Sequence, residues 1–198
     1  MKLDPVMIGC CGANLASLKF AFARLDCEIE VSDDPARLAQ ASHVVLPGVG
    51  AAKDAMQRLN RLGLADVLPT LEVPVLGICL GMQLLFRRSD EEDAECLGII
   101  DADVERFPDV PGLPIPQMGW NQVVFETETA LTRGIASGSY AYFVHSYAAP
   151  IGRFTRAETE YGQSFSSVVE RHNYYGTQFH PERSSTMGAR ILENFLRI

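Results

Sequence analysis

The sequence predicts an α/β fold: a mostly parallel sheet with helices on both faces and antiparallel strands added later in the chain. Two observations carry this. In the first half, short apolar runs alternate with stretches of helical periodicity. Strands linked through helices form right-handed crossovers, and the resulting parallel sheet is covered on both sides. In the second half the runs become aromatic and β-branched, with turn residues between them, as expected of antiparallel or mixed strands.

The elements follow in order. Val6–Gly9 is a short buried strand. Asn14 caps a helix whose Leu15, Leu18, Phe22 and Leu25 recur at helical spacing. Glu28–Val31 is a weaker strand, and Pro35 opens a short helix through Ala41. His43–Pro47 is a third strand, broken by Gly48–Gly50, and Ala51–Leu62 reads as a helix. Val73–Cys79 is the strongest central strand, and Leu80–Arg87 is the helix expected after it. Later strands are Trp120–Phe125, Tyr140–Tyr147, Phe165–Arg171 and Tyr174–Phe179, with a hairpin turn at His172-Asn173. A helix over Ser184–Leu196 ends the sequence. The Pro-rich stretch Pro108–Pro116 reads as a stiff loop. One domain over residues 1–198 is expected, and this length buries a core without disulfides or a structural metal.

Composition narrows the function. A formal net charge of −8 disfavours nucleic acid and anionic membranes as partners. The five cysteines are odd in number and lack CxxC spacing, which argues against a disulfide framework or a zinc site and for reduced thiols. Met1–Cys11, with Lys2 and Asp4, does not read as a signal peptide, and no apolar run approaches the roughly 20 residues of a membrane helix. A cytoplasmic protein is expected, with no metal or organic cofactor.

Gly77-Ile78-Cys79-Leu80-Gly81 joins the central strand to the following segment. This is the logic of a nucleophile elbow: a tight strand-to-helix turn lifts the cysteine above the sheet edge, and glycines admit close backbone. Helix onset favours the thiolate, and the Leu80 N–H faces the reacting carbonyl. The alternative is a small buried hydrophobe at a tight turn, to which Cys10, Cys11, Cys27 and Cys96 are assigned. A cysteine nucleophile needs a base and the base needs an orienting partner. Among four histidines, His180 opens His180-Pro181-Glu182 directly after an apolar strand, on the rim expected for Cys79. Glu182 is positioned to bond the far imidazole nitrogen. His43 reads as structural and His172 as solvated, while His145 stays open between roles.

Gly77-Ile78-Cys79-Leu80-Gly81-Met82-Gln83 and Gln178-Phe179-His180-Pro181-Glu182 resemble the nucleophile and His/Glu motifs of class I glutamine amidotransferases. Pro47-Gly48-Val49-Gly50, Pro116-Gln117-Met118-Gly119-Trp120-Asn121 and Tyr142-Phe143-Val144-His145-Ser146-Tyr147 narrow the resemblance to the glutaminase subunits of imidazole glycerol phosphate synthase. Gly12-Ala13-Asn14-Leu15 and Arg183-Ser184-Ser185 extend it over nearly the whole chain. Two departures stand out: Gln117 where the family usually has His, and Arg183 where many members carry Lys. The first falls in a segment resembling the partner interface, so it touches partner contacts rather than chemistry.

The resemblance implies a flavodoxin-like class I amidotransferase fold and a Cys79–His180–Glu182 triad acting on glutamine. It implies an oxyanion hole from the N–H groups of Leu80 and Val49, the latter having to turn inward. It also implies substrate contacts at Gly50, Gln83, Glu91, Ser146 and Tyr147. Glu91, within Asp90-Glu91-Glu92-Asp93, reads equally as part of a solvated acidic run. The implied partner is a (β/α)-barrel cyclase subunit, met through Asn14, Met118, Trp120, Tyr142 and Arg183. The cyclase would use ammonia to make imidazole glycerol phosphate and an aminoimidazole carboxamide ribotide. Ordinary core packing is the competing reading of Met118 and Trp120. The competing functions are a subunit of another class I amidotransferase, a stand-alone cysteine hydrolase, and a non-catalytic homologue.

Overall fold

The computed structural model describes residues 3–12 and 14–198. Met1, Lys2 and Ala13, the last within the Gly12–Leu15 signature, lie outside the described residues. The first half contains β1 (Pro5–Met7), α1 (Leu15–Ala23), β2 (Glu30–Val31), α2 (Pro35–Leu38), β3 (His43–Gly48), α3 (Ala52–Arg61), α4 (Leu64–Val67), β4 (Val75–Cys79) and α5 (Leu80–Gln83). There follow β5 (Phe86–Ser89), β6 (Ala94–Glu95), β7 (Ile100–Arg106), β8 (Gln117–Phe125), β9 (Ser139–His145), β10 (Tyr147–Ala148), β11 (Thr155–Glu160), β12 (Ser164–Arg171), β13 (Tyr174–Thr177) and α6 (Ser185–Phe195).

The main sheet runs β2-β1-β3-β4-β13-β12-β11-β8-β9. Its first five strands are parallel neighbours, and from β13 onward the pairings are antiparallel. The expected architecture is therefore present, with β4 an interior strand between β3 and β13. Side chains alternate across the strands as the pleat requires. Val6, Val44, Leu46 and Val75 face one core, shared with Ala55, Met56 and Leu59 of α3. Met7, Val45, Leu76 and Ile78 face the other, with Leu18 and Phe22 of α1 and Ile191, Leu192 and Phe195 of α6. Asn14 caps α1 as expected: its side-chain oxygen accepts from the Ser17 N–H at 3.3 Å.

The helix expected over Leu80–Arg87 is corrected. It stops after one turn at Gln83, and the chain continues into β5. Residues 80–85 are all buried, so this segment lacks the polar stripe of a surface helix. The next residues suit a strand instead: Arg87 reaches across to Asp101 and Asp103 of β7 at 2.7 and 3.0 Å. A second sheet, β10-β7-β5-β6, follows from this. No helix among the described residues is long and apolar enough to cross a membrane.

Candidate active site

The turn from β4 into α5 is the most tightly packed backbone around the site. A Cβ on Gly81 would lie 1.7 Å from the Leu46 carbonyl oxygen, and one on Gly77 would lie 2.6 Å from the Gly81 carbonyl oxygen. A Cβ on Gly48 would meet the Gly81 nitrogen at 2.8 Å. These glycines let β3, β4 and α5 touch through their backbones. Cys79 sits at the bend with φ 53° and ψ −110°, a region that costs a non-glycine residue on the order of 1–3 kcal/mol and persists only when its surroundings enforce it. As the opening residue of α5, Leu80 has an N–H with no acceptor inside the helix.

His180 follows β13 and precedes a single 3₁₀ turn, Pro181–Arg183. Its N–H donates to the Tyr142 carbonyl at 3.0 Å, and its carbonyl accepts from the Ser184 hydroxyl at 2.7 Å. Ser184 Oγ in turn accepts from the Tyr142 N–H at 2.9 Å. The backbone of His180 is thus clamped to β9. Its Nδ1 meets Glu182 Oε1 at 3.0 Å, and both side chains are buried. Nε2 is buried without a hydrogen bond of its own. Burial works against the imidazolium, but the Cys79 sulfur and the Glu182 carboxylate outweigh it and raise the His180 pKa to about 10.

One pocket of about 330 Å³ gathers Val49, Gly50, Cys79, Leu80, Gln83, Glu91, Ser146, Tyr147 and His180. Glu182 stands behind His180 in an adjoining pocket of about 150 Å³, which shares Val49, Val144 and His180 with the first and reaches Asn14 and Arg183. Glu91 differs from its acidic neighbours. It is half-buried, its Oε2 accepts from the Ala52 N–H at 2.8 Å at the start of α3, and burial raises its pKa. Asp90, Glu92 and Asp93 remain exposed. Among the described residues no group of three or more His, Cys, Asp or Glu is placed to hold a metal.

The Val49 N–H donates to the Cys11 carbonyl at 3.2 Å, so it is engaged outside the pocket. The N–H lies in the Gly48–Val49 peptide, so turning it inward means rotating about Gly48 ψ and Val49 φ. Gly50 has φ 95° and open space where a Cβ would stand, whereas Gly48 is wedged against α5. Of the cysteines assigned to burial, Cys11 and Cys27 are buried, but Cys10 and Cys96 are only partly so.

Pro116, Val144 and His145 also line the pocket and were not singled out for it. His145 Nδ1 lies 2.8 Å from the Tyr147 carbonyl, an acceptor, so Nδ1 carries the proton of a neutral ring. Burial lowers its pKa to about 4. Its position beside Ser146 and Tyr147 was the available signal. Gln178 was quoted only as a motif letter. It is fully buried, donates to Cys79 Sγ at 3.8 Å and accepts from Gln83 at 3.0 Å.

The outer face of the β8–β9 pair is exposed and aromatic. Met118 is 66% and Trp120 53% exposed, which removes core packing as an explanation for either. Trp120 meets Tyr142 edge to face at 6.1 Å, and the Arg183 guanidinium lies 5.5 Å from the Tyr142 ring centre. Gln117 points the other way. It is buried opposite His145, so the residue replacing the usual His is an inward position rather than a surface contact.

The class I glutamine amidotransferase family model matches residues 7–198. The imidazole glycerol phosphate synthase subunit HisH of Shewanella loihica is 47% identical over 205 residues, covering 98% of this chain and 91% of that one. The subunit of the same name from Escherichia coli O157:H7 is 48% identical over 197 residues, covering 99% and 100%. A solved glutamine amidotransferase superposes with TM-score 0.74 at 19% identity, covering 97% of each chain, which shows the shared fold. The chain belongs to the class I glutamine amidotransferase family, among the HisH subunits of imidazole glycerol phosphate synthase.

Proposed function

We propose that residues 1–198 work as one glutaminase domain, hydrolysing glutamine with Cys79, His180 and Glu182 and passing the ammonia to a (β/α)-barrel cyclase subunit in the cytoplasm. The observation that carries this is the buried His180, bonded to Glu182 and sharing with Cys79 the wall of a pocket lined by Gln83, Glu91 and Tyr147. His180 takes the proton of the Cys79 thiol, its charged form favoured by the Cys79 and Glu182 contacts that raise its pKa to about 10, and the sulfur attacks the side-chain amide carbon. The tetrahedral oxyanion takes the Leu80 N–H. His180 then protonates the departing ammonia, leaving a γ-glutamyl thioester. Water, deprotonated by His180, releases glutamate and restores the thiol. Glu182 orients the ring and stabilises its charge throughout.

Val49 is the control point. With its N–H engaged by Cys11, the oxyanion lacks a second donor, and one such donor is worth about 10²–10³-fold in turnover. A partner seated on Met118, Trp120, Tyr142, Arg183 and Asn14 borders the smaller pocket that Val49 and His180 share. It is therefore placed both to turn this peptide and to receive ammonia. The cyclase then makes imidazole glycerol phosphate and the aminoimidazole carboxamide ribotide.

The test is steady-state glutaminase turnover of the purified chain, alone and with the cyclase plus an analogue of the cyclase substrate. A weak activity raised on the order of 10²-fold or more by the complex is expected. Full activity in the chain alone, unchanged by the cyclase, would point to a stand-alone hydrolase and overturn the reading.

A further inference from the structure

We infer that Gln178 is a built-in donor to the nucleophile, its side-chain amide stabilising the Cys79 thiolate in an orientation fixed by Tyr147 through Gln83. This deepens the glutaminase reading and rests on Cys79 being the nucleophile.

The sense of each amide follows from a fixed starting point. The Tyr147 backbone carbonyl can only accept, and the Gln83 side chain lies 2.8 Å from it. Gln83 must therefore present its NH₂ group there, since its oxygen would set two acceptors face to face. The same NH₂ group lies 3.0 Å from the Gln178 side chain, so Gln178 must present its oxygen. That leaves the Gln178 NH₂ group turned to Cys79 Sγ, at 3.8 Å. No alternative assignment of either amide satisfies all three contacts. Gln178 is fully buried, and Sγ is the one acceptor its NH₂ group meets among the described residues. An N–H donor enclosed this way is costly to leave unpaired.

The sulfur has a second neighbour of opposite character. The Val144 carbonyl lies 3.8 Å from Sγ and accepts only from a protonated thiol. The two states of Cys79 thus have separate partners: Val144 holds the thiol and Gln178 holds the thiolate. A hydrogen bond to the charged form of a group shifts its titration toward that form, so Gln178 raises the fraction of Cys79 ready to attack. Gln83 does two things at once. Its NH₂ group is committed to Tyr147 and Gln178, and its oxygen is the end left to accept from a bound substrate's ammonium.

The experiment is alkylation of Cys79 by iodoacetamide as a function of pH, in the full chain complexed with the cyclase. It is followed by mass spectrometry of the Cys79 peptide so that the other cysteines do not contribute. Gln178→Met keeps the volume and removes the donor. Its alkylation midpoint is expected to rise by about one pH unit, equivalent to about tenfold less thiolate at a fixed lower pH. The kcat/KM for glutamine should fall in proportion and recover at higher pH. Gln178→Glu keeps the shape and the acceptor for Gln83 but sets a carboxylate against the sulfur, and its midpoint should rise further. It also covers the case in which the methionine variant does not fold. An unshifted midpoint in folded variants, with Cys79 still essential, overturns the role of Gln178. Glutaminase activity surviving complete alkylation of Cys79 overturns the nucleophile assignment beneath it.

Discussion

The two halves of the main sheet treat glycine and exposed surface in opposite ways. Where β3, β4 and α5 meet, Gly48, Gly77 and Gly81 each occupy a place where a Cβ would collide with backbone or side-chain atoms, and the adjoining Cys79 and His180 are buried. On β8, Gly119 has φ 140° and open space where its Cβ would stand, and its neighbours Met118 and Trp120 face solvent. The first region is built so that one geometry is possible. The second leaves a stripe of aromatic and sulfur-bearing side chains uncovered, of the kind enriched at interfaces. Chemistry is expected to fail when the first is disturbed, and association when the second is.

The largest effect belongs to the buried half. Cys79→Ser should lower glutamine hydrolysis by on the order of 10⁴-fold or more while the circular-dichroism melt stays unchanged. In the assembled complex, supplied ammonia should still yield cyclase product. His180→Ala should lose more turnover than Glu182→Ala, and the double variant should be little worse than His180→Ala alone, because members of one catalytic unit are non-additive. Multiplicative losses would show that the two residues act independently.

Next in size is a purely steric test. Gly81→Ala forces a Cβ to within 1.7 Å of the Leu46 carbonyl oxygen, and β3 or α5 must move. A destabilisation of roughly 3 kcal/mol or more is expected in urea titrations, with glutaminase activity lost even where the variant folds. Gly119→Ala meets no such atom, although its positive φ adds some strain, and it should cost less.

The buried half also carries a pH signature. His145 titrates near 4 in the folded chain, below its ordinary value of 6.5. Between those values the unfolded chain takes up a proton that the folded chain refuses. Its contribution is therefore full above about pH 6.5 and lost as pH falls toward 4, by roughly 3 kcal/mol in total. His180 runs the other way: its pKa is raised to about 10, so its contribution is full below about 6.5 and lost as pH rises through 10. Urea midpoints at pH 7 and 4.5 should show a smaller acid loss in His145→Asn than in the parent chain. An equal loss in both would remove His145 as the cause.

The smallest effect on stability is expected in the open half. Trp120→Ala should change the unfolding free energy by no more than about 0.5 kcal/mol, as for other surface positions, yet weaken cyclase binding on the order of tenfold or more if Trp120 anchors the interface. A clear loss of stability with unchanged binding would reverse the comparison between the two regions.

Much of the parallel half was legible because its signals are local. Val75–Cys79 is apolar and bounded by turn residues, and the Asn14 cap is written in adjacent residues. What the sequence hid depends on contacts between distant segments. The helix after Cys79 is cut to one turn because the chain beyond it pairs with β7 as a strand of a second sheet, and that sheet was foreseen nowhere. Its strand β7 does alternate, with Ile100, Ala102 and Val104 inward and Asp101 outward, but the period was masked by the acidic surroundings. β11 buries Thr155, Ala157 and Thr159, which are too short or polar to mark a strand. In the site, the Cys79 and His180 motifs stood out, whereas the burial of Gln117, the Cys11 tether on Val49 and the orientation of Gln178 are set by residues far apart in the chain. Glu91 was ambiguous in its acidic run because only the fold brings it to the start of α3.

The account stands most directly on which sulfur reacts with a glutamine mimic. Incubating the complex with a glutamine-analogue electrophile and mapping the adduct by peptide mass spectrometry should show one modified cysteine, Cys79. Glutaminase activity should fall in step with labelling, excess glutamine should protect, and Cys79→Ser should take up no label. A glutamine-protectable adduct on Cys10 or Cys96, or undiminished labelling of Cys79→Ser, would contradict the account.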